Sequence, residues 1–89
     1  MDNKSDKDFI IKADDEQLIL LENQLIDNMV SIREEQGLSQ AELARKCNIK
    51  QPVIARMEKA AHSPQIDSLL KVLVPMGYTL QIVPLHKNE

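Results

Sequence analysis

Apolar residues recur at helical spacing in four stretches of the chain, each lying between residues that start or stop helices. The first and longest stretch has apolar side chains at steps of three and four: Leu18, Leu21, Leu25, Met29 and Ile32. This spacing places them on one face of a helix. A second row widens the stripe: Leu20, Ile26 and Val30. We therefore expect the helix to bury more than one face, with Asp14 or Asp15 as its N-cap and Gly37 as its stop.

A second, shorter helix is predicted from Gln40 to about Cys47. Ser39 and Glu42 fit a capping box, in which each side chain accepts a hydrogen bond from the backbone amide of the other residue. The side chains expected to face inward are Ala41, Leu43, Ala44 and Cys47. Asn48 follows, and asparagine tolerates the positive φ that ends a helix tightly.

Two more helices are predicted in the second half of the chain. The third covers residues 51–59, where Pro52 is allowed because it lies in the first turn. Its apolar side is expected to be Val53, Ile54 and Met57. Ser63 and Pro64 give a cap-then-proline start to the fourth helix, which should end near Val74. Its apolar residues are Ile66, Leu69, Leu70 and Leu73.

The C-terminal segment 78–85 has a different pattern. It is rich in strand-forming residues, and three of them share one face at a period of two: Tyr78, Leu80 and Ile82. Because the chain has no second strand candidate, this one needs a partner from another molecule, and a second copy around a two-fold axis is the simplest partner. We expect these residues to form a dimer interface. The alternative is a disordered or folded-back tail.

Charge divides the chain into an acidic and a basic part. Residues 1–36 contain ten acids and four bases, a net charge of −6, whereas residues 37–89 carry +3. Residues 38–62 alone carry +3. Phosphate binding needs a local basic face rather than a basic protein. Charge alone more often marks an ordinary solvated surface. The sequence thus predicts a flexible acidic arm at 1–13, a helical domain at 14–77, which the motif described below makes a DNA-binding domain, and a dimerisation strand and tail at 78–89.

Composition argues against several other classes of protein. No apolar run approaches the roughly 20 residues that span a bilayer, and the N-terminus has no signal-peptide core. A single cysteine, Cys47, excludes an internal disulfide and suits the reducing cytoplasm. His62 and His86 lack metal-ligand spacing, and Ser39 has no readable His and carboxylate partners. We expect no cofactor, no metal and no enzymatic activity.

Residues 38–58 have the features that two closely crossing helices require. Ala44 is small enough for the close approach, Asn48 suits the turn, and Ile49 can fill the junction. The string Leu38-Ser39-Gln40-Ala41-Glu42-Leu43-Ala44, continued to Glu58, resembles the Xre/Cro/phage-repressor helix-turn-helix family over residues 28–77. Asn48, Lys50 and Pro52 depart from the usual family residues. The trailing strand and the length also resemble HigA- and HipB-like antitoxins.

This resemblance implies an all-α, lambda-repressor-like bundle of four to five helices, with the C-terminal strand pairing in a dimer. It also implies roles for individual side chains. Gln40 and Lys50 would hold phosphates, while Gln51 and Arg56 would read base edges. Ala55 could approach a thymine methyl group, and Pro52 would make an apolar or steric contact. Arg33 and Glu58 match a family ion pair that joins the first helix to the third.

The resemblance further implies an operator-binding repressor, expected as a homodimer on double-stranded DNA. The acidic first 36 residues could lie against a basic toxin, in which case the chain is an autoregulating antitoxin of a toxin–antitoxin system. The alternative is a standalone transcriptional regulator, in which the arm is a solubilising tail.

Overall fold

The computed structural model describes residues 14–59 and 63–85, and this part of the chain is helical. It contains α1 (Asp15–Glu35), α2 (Gln40–Cys47), α3 (Gln51–Glu58) and α4 (Ile66–Leu73). A 3₁₀ turn, Val74–Met76, continues α4. The predicted all-α helix-turn-helix bundle is confirmed. The predicted acidic arm at 1–13 and residues His62 and His86 lie outside the described residues.

The core is built from aliphatic and methionine side chains contributed by all four helices. Its members are less than a tenth exposed: Ile26, Met29, Leu43, Ala44, Ile54, Met57, Leu69, Val72, Leu73 and Met76. Such burial is the main favourable term in folding, at about 25 cal/mol per Å² of apolar surface. Cys47 lies at the edge of this core, with Sγ 3.7 Å from the carbonyl oxygen of Val72. Burial raises the pKa of its thiol, as expected for a packing residue.

Helix α1 is anchored in the core only through its C-terminal half. Asp14 caps it by accepting from the amide of Gln17 at 2.7 Å, and Ile26 and Met29 are its buried residues. The first apolar residues of the predicted stripe are instead exposed: Leu18, Leu20 and Leu21. The expectation that α1 buries more than one face was wrong for this half, because no described element packs against it.

Three helical segments end in the same way, with one residue in the left-handed region. These residues are Gly37, Asn48 and Gly77, with φ of 72°, 57° and 94°. In each case the amide of this residue and the amide of the following residue donate to carbonyls of the last turn, as in Asn48 N to Arg45 O at 3.2 Å and Ile49 N to Ala44 O at 2.9 Å. This pattern is the Schellman motif. It lets α1, α2 and the 3₁₀ turn stop abruptly with their last carbonyls satisfied.

The segment after Gly77 does not form the predicted strand. Residues 78–84 have no regular secondary structure. Within the described residues, none of the amides of 79–85 donates to a backbone carbonyl. Leu80 packs against the core, but Ile82 is 97% exposed. The prediction of a strand is wrong for the single chain. A strand needs a second backbone with which to form hydrogen bonds, and no described part of the chain supplies one.

Two absences apply to the described residues alone. None of their helices combines the length and the apolar character needed to cross a membrane. Residues 14–59 and 63–85 also contain no group of three His, Cys, Asp or Glu side chains arranged to hold a metal ion.

Asn48 is the one described residue other than glycine with positive φ, which makes its replacement informative. We expect Asn48→Ala to lower the free energy of unfolding by about 1 kcal/mol, because a Cβ without the asparagine amide is strained there. Asn48→Gly should remain within about 0.5 kcal/mol of the parent. Urea denaturation followed by circular dichroism measures both, and equal losses in the two variants would show that φ at this position is not the constraint.

Candidate nucleic-acid interface

Helices α2 and α3 form the helix-turn-helix, joined by residues 48–50. The capping box at the start of α2 is complete, with Ser39 Oγ accepting from Glu42 N at 3.0 Å and Glu42 Oε1 accepting from Ser39 N at 2.7 Å. These hydrogen bonds lower the pKa of the Glu42 carboxyl. Ala44 is buried in the core to which α2 and α3 both contribute, and Ile49, in the turn between them, packs against that core. The crossing of α2 and α3 is thereby fixed by local backbone geometry and one small side chain.

Helix α3 has one buried and one exposed side. Ile54 and Met57 are its buried residues. Gln51, Pro52 and Arg56 are exposed, as a helix that enters a groove requires. Val53 is 43% exposed, so its assignment to the apolar inner side was wrong. Val53 is four residues before the buried Met57, so helical periodicity predicts that both share one face. The prediction failed because Val53 lies at the edge of that face, where spacing alone does not distinguish a buried from an exposed side chain.

The carboxylate of Glu58 joins α3 to α1. Arg33 donates to it twice, from Nε to Oε2 at 2.7 Å and from Nη2 to Oε1 at 3.1 Å. The third donor group of Arg33, Nη1, reaches the carbonyl oxygen of Leu38 at 2.7 Å. The side chains are only 12% and 7% exposed. Hydrogen bonding to Glu58 raises the pKa of Arg33, so the guanidinium remains charged.

Gln40 belongs to the same network, which sequence reasoning did not foresee. Its Nε2 donates to Glu58 Oε1 at 2.9 Å, while the sequence predicted only a phosphate contact. The amide nitrogen carries two hydrogens. One is therefore engaged by Glu58, and the second can point toward a phosphate. The side chain at the start of α2 is thus oriented by the ion pair behind it.

The basic side chains in the segment 38–59 are all exposed, and no carboxylate of the described residues lies within ion-pair distance of them. They are Arg45, Lys46, Lys50, Arg56 and Lys59. Lys50 directly precedes α3, which has no side-chain cap. Ala55, between the exposed Gln51 and Arg56 on the helix, is half-buried. The predicted DNA-contacting residues therefore lie at the start of α2 and along the outer side of α3.

A cleft beside Arg56 adds residues that the sequence did not single out. It lies between α3 and the start of α4, and its lining includes Val53, Ser63, Gln65 and Ser68. The hydroxyls and the amide are groups that contact phosphate or sugar in DNA complexes. Ser63 was interpreted only as a helix cap, whereas Gln65 is the residue that precedes α4.

Comparison with known proteins agrees with this geometry. A helix-turn-helix family model matches residues 30–83, more than half of the chain. The protein therefore belongs to the helix-turn-helix family of DNA-binding transcription regulators. Over 62 residues it is 48% identical to an uncharacterised helix-turn-helix transcriptional regulator of Haemophilus influenzae. That match covers 70% of this chain and 63% of the relative, so the chain matches less than two thirds of the relative's length.

A solved structure is similar over almost the whole chain. It is described as a toxin–antitoxin module from Streptococcus pneumoniae. The alignment has a TM-score of 0.68 and 38% sequence identity, and covers 97% of this chain and 96% of the other. The likeness thus includes α1 and the C-terminal segment as well as the helix-turn-helix.

The Glu58 network yields a stability prediction. We expect Glu58→Ala to lower the free energy of unfolding by about 3 kcal/mol, because Arg33 would remain buried without its counter-charge. The double variant Arg33→Met/Glu58→Leu should lose less, since no charge is left unpaired. Glu34→Ala, at an exposed position of α1, is the control and should change stability by at most about 0.5 kcal/mol. Chemical denaturation of the four proteins tests this, and a Glu58→Ala loss equal to the control would contradict it.

Proposed function

We propose that this protein is a sequence-specific transcriptional repressor that binds its operator through α3. The observation that carries the proposal is the arrangement of α3, whose inner side is fixed by the core and Glu58 while its outer side presents Gln51, Pro52 and Arg56. Gln51 and Arg56 have the side chains that pair bidentately with adenine and guanine in the major groove. Lys50, an exposed cation directly before α3, and Gln40, at the start of α2, would hold phosphates. Ala55 offers an apolar contact to a thymine methyl group.

DNA-binding anisotropy with the region upstream of the gene, against shuffled DNA and across a salt series, tests the repressor proposal. We expect selective binding that weakens steeply with salt, since phosphate contacts release counterions. Arg56→Ala should cost about 1–3 kcal/mol on the operator and relax base preference, whereas Lys50→Ala should weaken all sequences similarly. Lys71→Ala, an exposed cation on α4, is the control. Equal weak binding to both DNAs would refute the proposal.

We further propose that the repressor acts as a homodimer paired through residues 78–83. No amide of residues 79–85 donates to a backbone carbonyl within the described part of the chain, Ile82 is almost fully exposed, and Leu80 packs against the core. Pairing two such segments around a two-fold axis would satisfy both backbones. The half-sites would then lie about 34 Å apart, one turn of DNA.

Light scattering of the full chain tests the dimer. The expected molar mass is twice the 10.1 kDa of one chain. Ile82→Asp should reduce it to the monomer value, because a charge there opposes its own copy across the axis. The matched substitution Val74→Asp, at another exposed apolar residue, should leave the dimer intact. A monomeric parent protein, or a dimer that tolerates Ile82→Asp, would contradict the assignment.

The repressor is also proposed to be the antitoxin of a type II toxin–antitoxin system, which represses its own genes and neutralises a toxin. The support is the likeness to a chain of the Streptococcus pneumoniae module over both termini of the described chain, together with the acidic first 36 residues. The alternative function is a standalone transcriptional regulator without a toxin partner; the Haemophilus influenzae relative is described as an uncharacterised helix-turn-helix transcriptional regulator. DNA binding is common to both proposals, so only a protein partner separates them.

A further inference from the structure

The N-terminal half of α1 is apolar on several sides and touches no part of the described core. Leu18, Ile19, Leu20 and Leu21 are 50%, 56%, 62% and 41% exposed. The first buried residue of the helix is Ile26. Residues 15–24 therefore form about 15 Å of helix beyond the bundle. Four consecutive apolar residues, 18–21, occupy all sides of one helical turn, and contiguous exposed apolar surface marks an interaction site.

We propose that this half of α1 docks into an apolar groove of a basic partner protein. Leu18, Leu21 and Leu25 occupy positions i, i+3 and i+7, the spacing with which a helix lays its anchors into a groove. Leu25 packs against the core. The row of leucines therefore extends from the core of the bundle onto the exposed half of α1 that would contact the partner. The surface itself follows from exposure and charge; the identity of the partner as a toxin rests on the antitoxin part of the proposed function.

Charge selects the partner. Residues 14–24 contain four acids and no base. Asp15 and Glu22 are three residues before and four after Leu18, which makes them its neighbours on the helix surface. A second copy of this chain would bring the same four negative charges against these, and like charges at a close interface are costly. A groove rimmed with Lys and Arg would complement them instead. The partner of this half of α1 is therefore a basic protein and not a second copy of the chain.

The test uses the full chain co-expressed and then titrated with the product of the neighbouring gene, which the proposal requires to be basic, with affinity measured by calorimetry. Leu18→Gln/Leu21→Gln should weaken the complex at least 30-fold, the order expected for central interface anchors. Glutamine is chosen because its helix propensity is close to that of leucine. Leu85→Gln, at a leucine of similar exposure (46%) in the C-terminal segment, is the matched control and should stay within about 3-fold.

Charge is tested separately. Asp15→Asn/Glu22→Gln should weaken the complex and flatten its salt dependence, because the attraction at the rim is screened by ions. Unchanged salt dependence in this variant would overturn the basic-groove assignment. DNA anisotropy with all variants should match the parent protein, so loss of DNA binding and loss of the partner are read independently. Failure of the repressor proposal would therefore leave the docking result interpretable.

Three outcomes would overturn the docking proposal. The first is an absence of binding by the parent chain, or binding that tolerates Leu18→Gln/Leu21→Gln. The second is a change in the molar mass of the free protein in that variant, which would show that a second copy covers the helix. The third is a fall in its thermal midpoint without a change in mass, which would show that residues 1–13 cover it. An unchanged mass and midpoint in the free protein support the proposal.

Discussion

The carboxylate of Glu58 is the contact on which the arrangement of the helix-turn-helix depends. Glu58 belongs to α3, and its carboxylate accepts three hydrogen bonds, two from Arg33 on α1 and one from Gln40 on α2. Arg33 also holds the carbonyl of Leu38 in the loop between α1 and α2. A single nearly buried charge pair therefore fixes three helices and one loop. Such a pair contributes less to net stability than to geometry, because desolvation offsets much of its attraction.

The same network connects stability with the proposed phosphate contact of Gln40. Gln40 occupies the first position of α2, and its side-chain amide donates to Glu58. Loss of Arg33 or Glu58 would thus disturb a side chain proposed to contact DNA, although neither residue is itself proposed to contact it. This connection is useful in interpreting variants, since a loss of affinity need not indicate a lost contact.

Local features were predicted well from the sequence, and features that depend on distant surroundings were not. The Ser39–Glu42 cap and the turns at Gly37 and Asn48 follow from neighbouring residues alone, so the helix ends could be placed. Burial cannot be placed this way. Leu18 and Leu21 have the same periodicity as Met29, yet no described element covers them. The segment 78–83 has strand-forming residues, but a strand forms only where a second backbone is present.

The candidate site shows the same division. The exposed side of α3 was predicted at Gln51 and Arg56, because the motif fixes which residues face the core. Val53 was predicted on the buried side of α3, but it lies at the edge of that side and is exposed. The bond between Gln40 and Glu58 joins residues 18 apart in the chain, and nothing in the spacing signals it. Side-chain networks of this kind require the three-dimensional arrangement.

The separation of the two sides of α3 has a consequence for how binding preference can change over evolution. Ile54, Met57 and Glu58 hold the helix in place, whereas the side chains of Gln51 and Arg56 are exposed and make no hydrogen bond within the described residues. Replacements at the outer positions leave the folding free energy nearly untouched, as surface substitutions usually do. Under the proposed function, a lineage can therefore acquire a new operator through a few mutations without first acquiring extra stability. On that proposal, related proteins that diverge in this way would keep one scaffold while ceasing to recognise one another's DNA.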